Sequence, residues 1–155
     1  MAYILGIKSD QTSTTDDHGL GAIGQNVTSA GVKTFKWMKY DTGGGSVAAV
    51  SGQVAYYYTL DGYKNHTCTS DLSDSVEIGA GVCQSAPGDG EYAWFQIQGP
   101  ATLALALTAG ADGDPLTPTG AGADGTLDVS AAVTDNVCAI AGDISDKEVV
   151  CDFPY

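Results

Sequence analysis

Two histidines, four cysteines and nineteen acidic side chains are the groups in this chain whose types could support chemistry. A catalytic or metal centre needs such groups in sets: a nucleophile beside a base, paired acids, or three to four ligands converging on one ion. His18 follows Asp16-Asp17, a trio that could hold a metal or exchange a proton. His66 stands two residues before Cys68, which supplies one nitrogen and one sulfur where a zinc site takes three or four ligands. Cys68, Cys83, Cys138 and Cys151 are widely spaced with no CxxC pair. They fit small buried hydrophobes or, in an oxidising compartment, two disulfides in one of three connectivities. Asp112-Gly113-Asp114 and Asp124-Gly125 offer calcium-type oxygens but lack the twelve-residue loop with its closing Glu, and Asp-Gly is ordinary turn chemistry. Gly19, Gly21 and Gly24 carry the spacing of a dinucleotide loop, with no strand before them and no helical pattern after. HExxH, GxSxG and Walker sequences do not occur. The expectation is a protein that is not an enzyme and carries no metal and no cofactor.

Charge narrows the partners. Sixteen Asp and three Glu oppose six Lys and no Arg, a net charge of −13 over 155 residues. Phosphate recognition needs clustered Lys and Arg, so nucleic acid is excluded as a partner, and an anionic membrane is disfavoured for the same reason. No apolar run approaches the length of a membrane span, and MAYILGIKSD has neither the basic flank nor the apolar length of a secretion signal. A soluble, cytoplasmically made protein with four reduced thiols is expected.

The elements that must position these groups read as strands. Asp outnumbers Glu and 21 glycines are present, which favours turns over helices. In Glu91–Leu107, Ala93, Phe95 and Ile97 alternate with Tyr92, Trp94, Gln96 and Gln98. Beyond Gly99-Pro100, which breaks or bends the chain, Leu103, Leu105 and Leu107 alternate with Ala104 and Ala106. Phe35 and Trp37 alternate with Lys36, Met38 and Tyr40; Val54, Tyr56, Tyr58 and Leu60 share a face opposite Tyr57. Residues 63–75 are polar and loop-like. Short apolar runs separated by turn signals predict an all-β fold, a compact β-sandwich or β-barrel of about 7–10 short strands. Residues 19–155 form a single β domain in this scheme, and residues 1–18 an extended N-terminal arm. Tyr3, Ile4, Leu5 and Ile7 make an apolar tip on a polar tether, suited to adding as a strand, or lying along a groove, on another chain. Trp94, Phe95, Leu103, Leu105 and Leu107 are the candidate core or oligomer seam. Tyr56–Tyr58, Trp37 and Trp94 could also form a sugar-stacking platform, the basis of an alternative function as a glycan-binding module.

The order HGLGAIG, then KTFKWMKYD, then VAAVSGQV resembles the start of the small head-decoration (cement) proteins of tailed bacteriophages. IGAGVCQSAPGDGEYAWFQIQGPATLAL is similar to the block of that family written GVA…A…G.YGWVQ..G.A, with Tyr92, Trp94, Gln96, Gly99 and Ala101 in matching places. Asp114-Pro115-Leu116 before a Gly-containing loop and a final strand ending in Phe153-Pro154 complete the likeness, which spans Gly19 to Tyr155. The resemblance implies a structural virion protein on the capsid exterior, assembled in the host cytoplasm. It implies the phage major capsid protein as partner, with self-association as a homotrimer in preference to a homodimer.

Overall fold

The computed structural model describes residues 3–59 and 61–155. Its strands are β1 (Tyr3–Leu5), β2 (Thr12–Ser13), β3 (Ile23–Thr28), β4 (Gly31–Tyr40), β5 (Val54–Tyr58), β6 (Thr67–Thr69), β7 (Ser75–Cys83), β8 (Tyr92–Thr102), β9 (Pro115–Thr117), β10 (Asp128–Val129), β11 (Ala139–Asp143) and β12 (Glu148–Asp152). A single helical turn, α1 (Gly62–Asn65), and one 3₁₀ turn at Leu72–Asp74 interrupt them. The protein is all-β. Strands β4, β6, β5, β7 and β8 follow one another, and pairing of β4 with β8 closes them into a five-stranded barrel. Outside it, β3 and β1 extend one flank from β4, while β12, β11, β9 and β10 extend the other from β8. The described strands number twelve, more than the expected seven to ten, because two-residue pieces such as β2 and β10 leave no periodic trace in a sequence. Strand β6 lies inside the stretch expected to be loop; its three residues are held by pairing to β4 and β5. Leu60 lies outside the described residues.

Strand β8 holds the two parts together. It pairs with β4 along Tyr92–Gln98, with β2 at Tyr92–Ala93, with β7 at Phe95–Gln96 and with β12 along Gln98–Thr102. The change of partner falls at Gly99-Pro100, which bends the strand without ending it. Pairing with β4 stops at Gln98, so Pro100 sits where its missing N–H leaves no ladder bond unmade. Gly99 has φ 91°, and a Cβ there would lie 2.5 Å from the Val32 carbonyl oxygen, so only glycine fits. The buried amide of Gln96 donates through Nε2 to the carbonyls of Gln98 (3.2 Å) and Pro100 (2.9 Å), clasping the bend from both sides.

Two expectations are revised by the backbone. The leucine segment after Thr102 is not a strand. Its alternation survives all the same: Leu103 is buried, Leu107 is half-buried against the same core, and Leu105 is half-buried, with Ala104 and Ala106 exposed. Apolar spacing drives the inward turn of these leucines even where no neighbouring strand supplies hydrogen bonds.

The N-terminal segment is extended but lies along its own domain. β1 pairs in parallel with β3, Tyr3 opposite Ile23 and Leu5 opposite Gln25, and β2 pairs with β8. Ile4 and Ile7 pack against a cluster of Ala22, Phe35, Trp37 and Trp94. The polar tether folds because it satisfies itself: Thr15 Oγ1 donates to Asp17 Oδ1 (2.6 Å), and Asp16 accepts from the backbone amides of Gly19 (2.9 Å) and Leu20 (3.0 Å). Residues 3–18 and the rest of the chain therefore share one aromatic core.

Replacing Gly99 with Ala forces a Cβ into the Val32 carbonyl at a left-handed φ. A loss of roughly 2–4 kcal/mol is expected in urea unfolding, with both halves of the fold weakened together.

Candidate functional site

The flank built on β8, β12, β11 and β9 has one buried face and one bare face. Ala101, Ala139, Ala141, Val149 and Cys151 turn inward to the core around Leu116. On the other face the register places Pro100 opposite Val150, Val150 opposite Ile140, and Ile140 opposite Pro115. Directly opposed residues of antiparallel strands point the same way, so these four form one apolar ridge across four strands. Val150 is 50% exposed and Ile140 40%. Glu148 and Asp152, two residues either side of Val150, put carboxylates beside the ridge, opposite Thr102 and Gln98. A groove of about 270 Å³ runs along this face, lined by Pro100, Val150 and Thr102, with Lys33 and Glu148 as its charged side chains. A second apolar patch lies on the other flank, where Val27 and Val32 oppose each other near the hairpin tip and Leu5 lies beside them on β1. Val27 is 84% exposed and Leu5 74%.

The candidate residues are not gathered into one place. Ile4 and Ile7 cover Trp94, Leu5 faces solvent, and Tyr3 contributes its backbone to β1. Trp94 is fully buried and directly opposite Trp37, with ring centroids 5.1 Å apart. His18 stands edge-on to Trp37 at 4.7 Å and tilted over Trp94 at 5.0 Å, and its Nε2 bonds Gln11 Oε1 at 3.0 Å. Asp16 Oδ1 accepts the Trp37 indole N–H at 2.9 Å. The Asp16-Asp17-His18 trio thus fastens residues 3–18 to the tryptophans. Phe95 points the opposite way, into the barrel, with Met38, Tyr40, Ala55 and Tyr57. Leu103 belongs to the core and Leu107 packs on it, so these two belong to the fold of the subunit.

A group that alternation alone does not single out is Lys36. Its side chain is completely buried, where a charged residue on a strand normally marks the solvent face. Nζ donates to Tyr57 Oη at 2.9 Å and lies 5.4 Å from the Tyr57 ring and 5.8 Å from that of Tyr63 on α1. The rings supply partial compensation for lost hydration. Burial nonetheless lowers the Lys36 ammonium to about 8, with nearby Cys68 acting the other way. Burial also raises the neighbouring Tyr57 hydroxyl far above its usual value.

All four cysteines are free and buried. Burial pushes the Cys83 and Cys151 thiols up to about 12, so thiolate, the reactive form, is scarce. The acids singled out for calcium hold turns instead: Asp114 accepts from the Ala111 amide (2.8 Å), Asp112 from Ile144 (2.9 Å) and Asp124 from Leu72 (2.8 Å). Among the described residues no three His, Cys, Asp or Glu side chains are grouped so as to hold a metal ion. No family model, no curated protein and no solved structure matches this chain.

Asp16 and Lys36 can each be tested by substitution. Asp16→Ala removes the acceptor of the Trp37 indole and of two backbone amides, and a loss of about 1–3 kcal/mol is expected in denaturant unfolding. Lys36 loses its proton near 8 in the folded chain and near 10.5 when free. Below 8 both states are protonated and the whole penalty of burying the ammonium is present. Between these values only the unfolded chain holds the proton, so stability rises with pH. The stability of wild type relative to Lys36→Met, followed by urea unfolding, should therefore improve by about 2–3 kcal/mol across that window.

Proposed function

We propose that this protein is a structural component of a phage virion, a decoration or cement protein that binds the outer surface of the major capsid protein shell and stabilises the head. The observation that carries the proposal is the ridge Pro100–Val150–Ile140–Pro115, an in-register apolar line on a sheet face that the fold leaves bare. An exposed apolar line across four strands suits a protein partner better than a small ligand. The ordered blocks from HGLGAIG to the final Phe153-Pro154 supply the class of partner. Carboxylates at Glu148 and Asp152 suit a capsid surface that is basic around an apolar centre. An oligomer, a trimer in preference to a dimer, would engage several capsid subunits at once and gain avidity from modest single contacts.

The glycan-binding alternative draws less support from the placement of the rings. Trp37, Trp94, Tyr56 and Tyr57 are buried, whereas stacking on a sugar requires an open ring face.

The test is sedimentation of the protein with undecorated, expanded phage capsids. Saturable binding and greater heat resistance of the decorated shells are expected. Ile140→Glu and Val150→Glu, which change only solvent-facing side chains, should weaken binding about 30-fold or more (roughly 2 kcal/mol) with unchanged thermal unfolding. Undiminished binding of both variants would move the contact off the ridge, and no binding by the wild type would reject the capsid role.

A further inference from the structure

One mouth of the barrel is closed by chain rather than by solvent. α1 lies across it, with Tyr63 against Tyr57 at 4.9 Å between ring centroids, edge to face, and over the Lys36 ammonium. His66 caps α1 in a left-handed conformation, φ 52°, its backbone N–H donating to the Gly62 carbonyl. The next residue, Thr67, begins β6, and the His66 carbonyl accepts from the Lys39 amide of β4 at 3.0 Å. The imidazole lies on Gly21: a Cβ on that glycine would meet Nε2 at 2.7 Å and Cε1 at 2.9 Å. Gly21 in turn donates to the Trp37 carbonyl at 2.9 Å, in the turn that carries Asp16 and the tryptophan cover. His66 therefore joins α1 through its backbone cap and the turn 19–22 through its ring.

The environment of that side chain favours the neutral ring. Its Nδ1 is buried and has no hydrogen-bond partner, which a neutral ring tolerates and an imidazolium, obliged to donate there, does not. The charge acting on it is that of Lys36 on β4; Lys39 on β4 and Lys64 in the last turn of α1 are the further cations of the elements it joins, and Asp16, which accepts from the Gly19 and Leu20 amides, is the acid of the turn. The acid of the α1 region, Asp61, stands at the other end of the helical turn. Burial, and then the positive charge of Lys36, act in the same direction on His66 and lower its affinity for a proton.

We propose that His66 and Lys36 form an acid-sensitive latch at the barrel mouth. With the imidazole neutral, α1 and the turn 19–22 close on the barrel. Protonation places a second cation beside Lys36 and makes the buried Nδ1, in a ring packed on Gly21, a donor with no acceptor, and both segments loosen. The sign follows from linkage. The folded state binds the His66 proton more weakly than the unfolded or opened state does. The closed form therefore loses stability as pH falls below the ordinary histidine value of about 6.5 and on through the lowered one. The latch is independent of the capsid role, since it concerns the closure of the barrel itself.

The experiment is an NMR titration of the full-length protein, following the His66 ring, combined with amide hydrogen exchange of residues 19–22 and 61–66 corrected for intrinsic rates. The expected result is a His66 midpoint below that of a free histidine, moved upward by Lys36→Met, with amide protection in both segments falling as His66 titrates. His66→Asn retains a residue suited to the left-handed conformation and removes the titrating ring, so protection should become independent of pH in this range. A wild-type midpoint at the free-histidine value would overturn the latch, as would a midpoint unmoved in Lys36→Met. The same acid loss of protection in His66→Asn would also overturn it. The wild-type titration needs no variant and decides the point even if one of them fails to fold.

Discussion

The fold depends on a bend clasped by one amide. Strand β8 belongs to the barrel up to Gln98 and to the outer sheet beyond it, and Gly99-Pro100 is the joint. Glycine is required because the Val32 carbonyl passes within a Cβ's distance, and proline is tolerated because the strand has just lost a neighbour on one side. A bend alone would be soft. Gln96 stiffens it by holding the carbonyls on both sides, and because that amide is buried, its bonds face no competition from water. The angle of the ridge-bearing sheet relative to the barrel is set by these three residues. Gln96 and Gly99 thus fix an angle and carry no reactive group.

The barrel differs from a simple half-exposed sheet in burying both faces of β4 and β8. Met38, Tyr40, Ala93 and Phe95 fill the interior, while Phe35, Trp37 and Trp94 point outward and are covered by residues 3–18. The cover is held by a three-residue parallel strand, a two-residue antiparallel pairing, and the side chains of Asp16 and His18 against the two indoles. Burying two tryptophans withdraws several hundred Å² of apolar surface, which far outweighs the short ladders in this contact. Residues 3–18 are in consequence a structural element of the isolated subunit.

That double burial also explains what the sequence could and could not disclose. Period-two spacing located β4, β5 and β8, and the Asp- and Gly-rich intervals located the turns between strands. It could not say which face of β4 looks inward, because Lys36 shares a face with Met38 and Tyr40 and a lysine ordinarily marks water. Only the neighbouring rings of Tyr57 and Tyr63, brought close by β5 and α1, make its burial tolerable. The leucines at 103, 105 and 107 show the converse: their alternation put them on one side without deciding between core and seam, and it mimicked a strand where the chain has no partner. The ridge was invisible for a different reason. Pro100, Pro115, Ile140 and Val150 are scattered along the chain and become neighbours only through strand register, which single-strand periodicity does not encode.

The electrostatics constrain how such a ridge could work in a virion. With a net charge of −13, two copies repel at a distance, and of the six lysines one is locked inside the barrel. At physiological ionic strength this repulsion is screened within about 8 Å, whereas apolar attraction begins only at contact. A surface that presents both an apolar complement and opposite charge is therefore the favoured partner of the ridge. A capsid lattice of the proposed kind would present that surface many times over at fixed spacing. Under those conditions the ridge does not need high affinity at any one site. It needs a constant angle and a face that does not deform, and the Gly99-Pro100 joint with its Gln96 clasp supplies that angle.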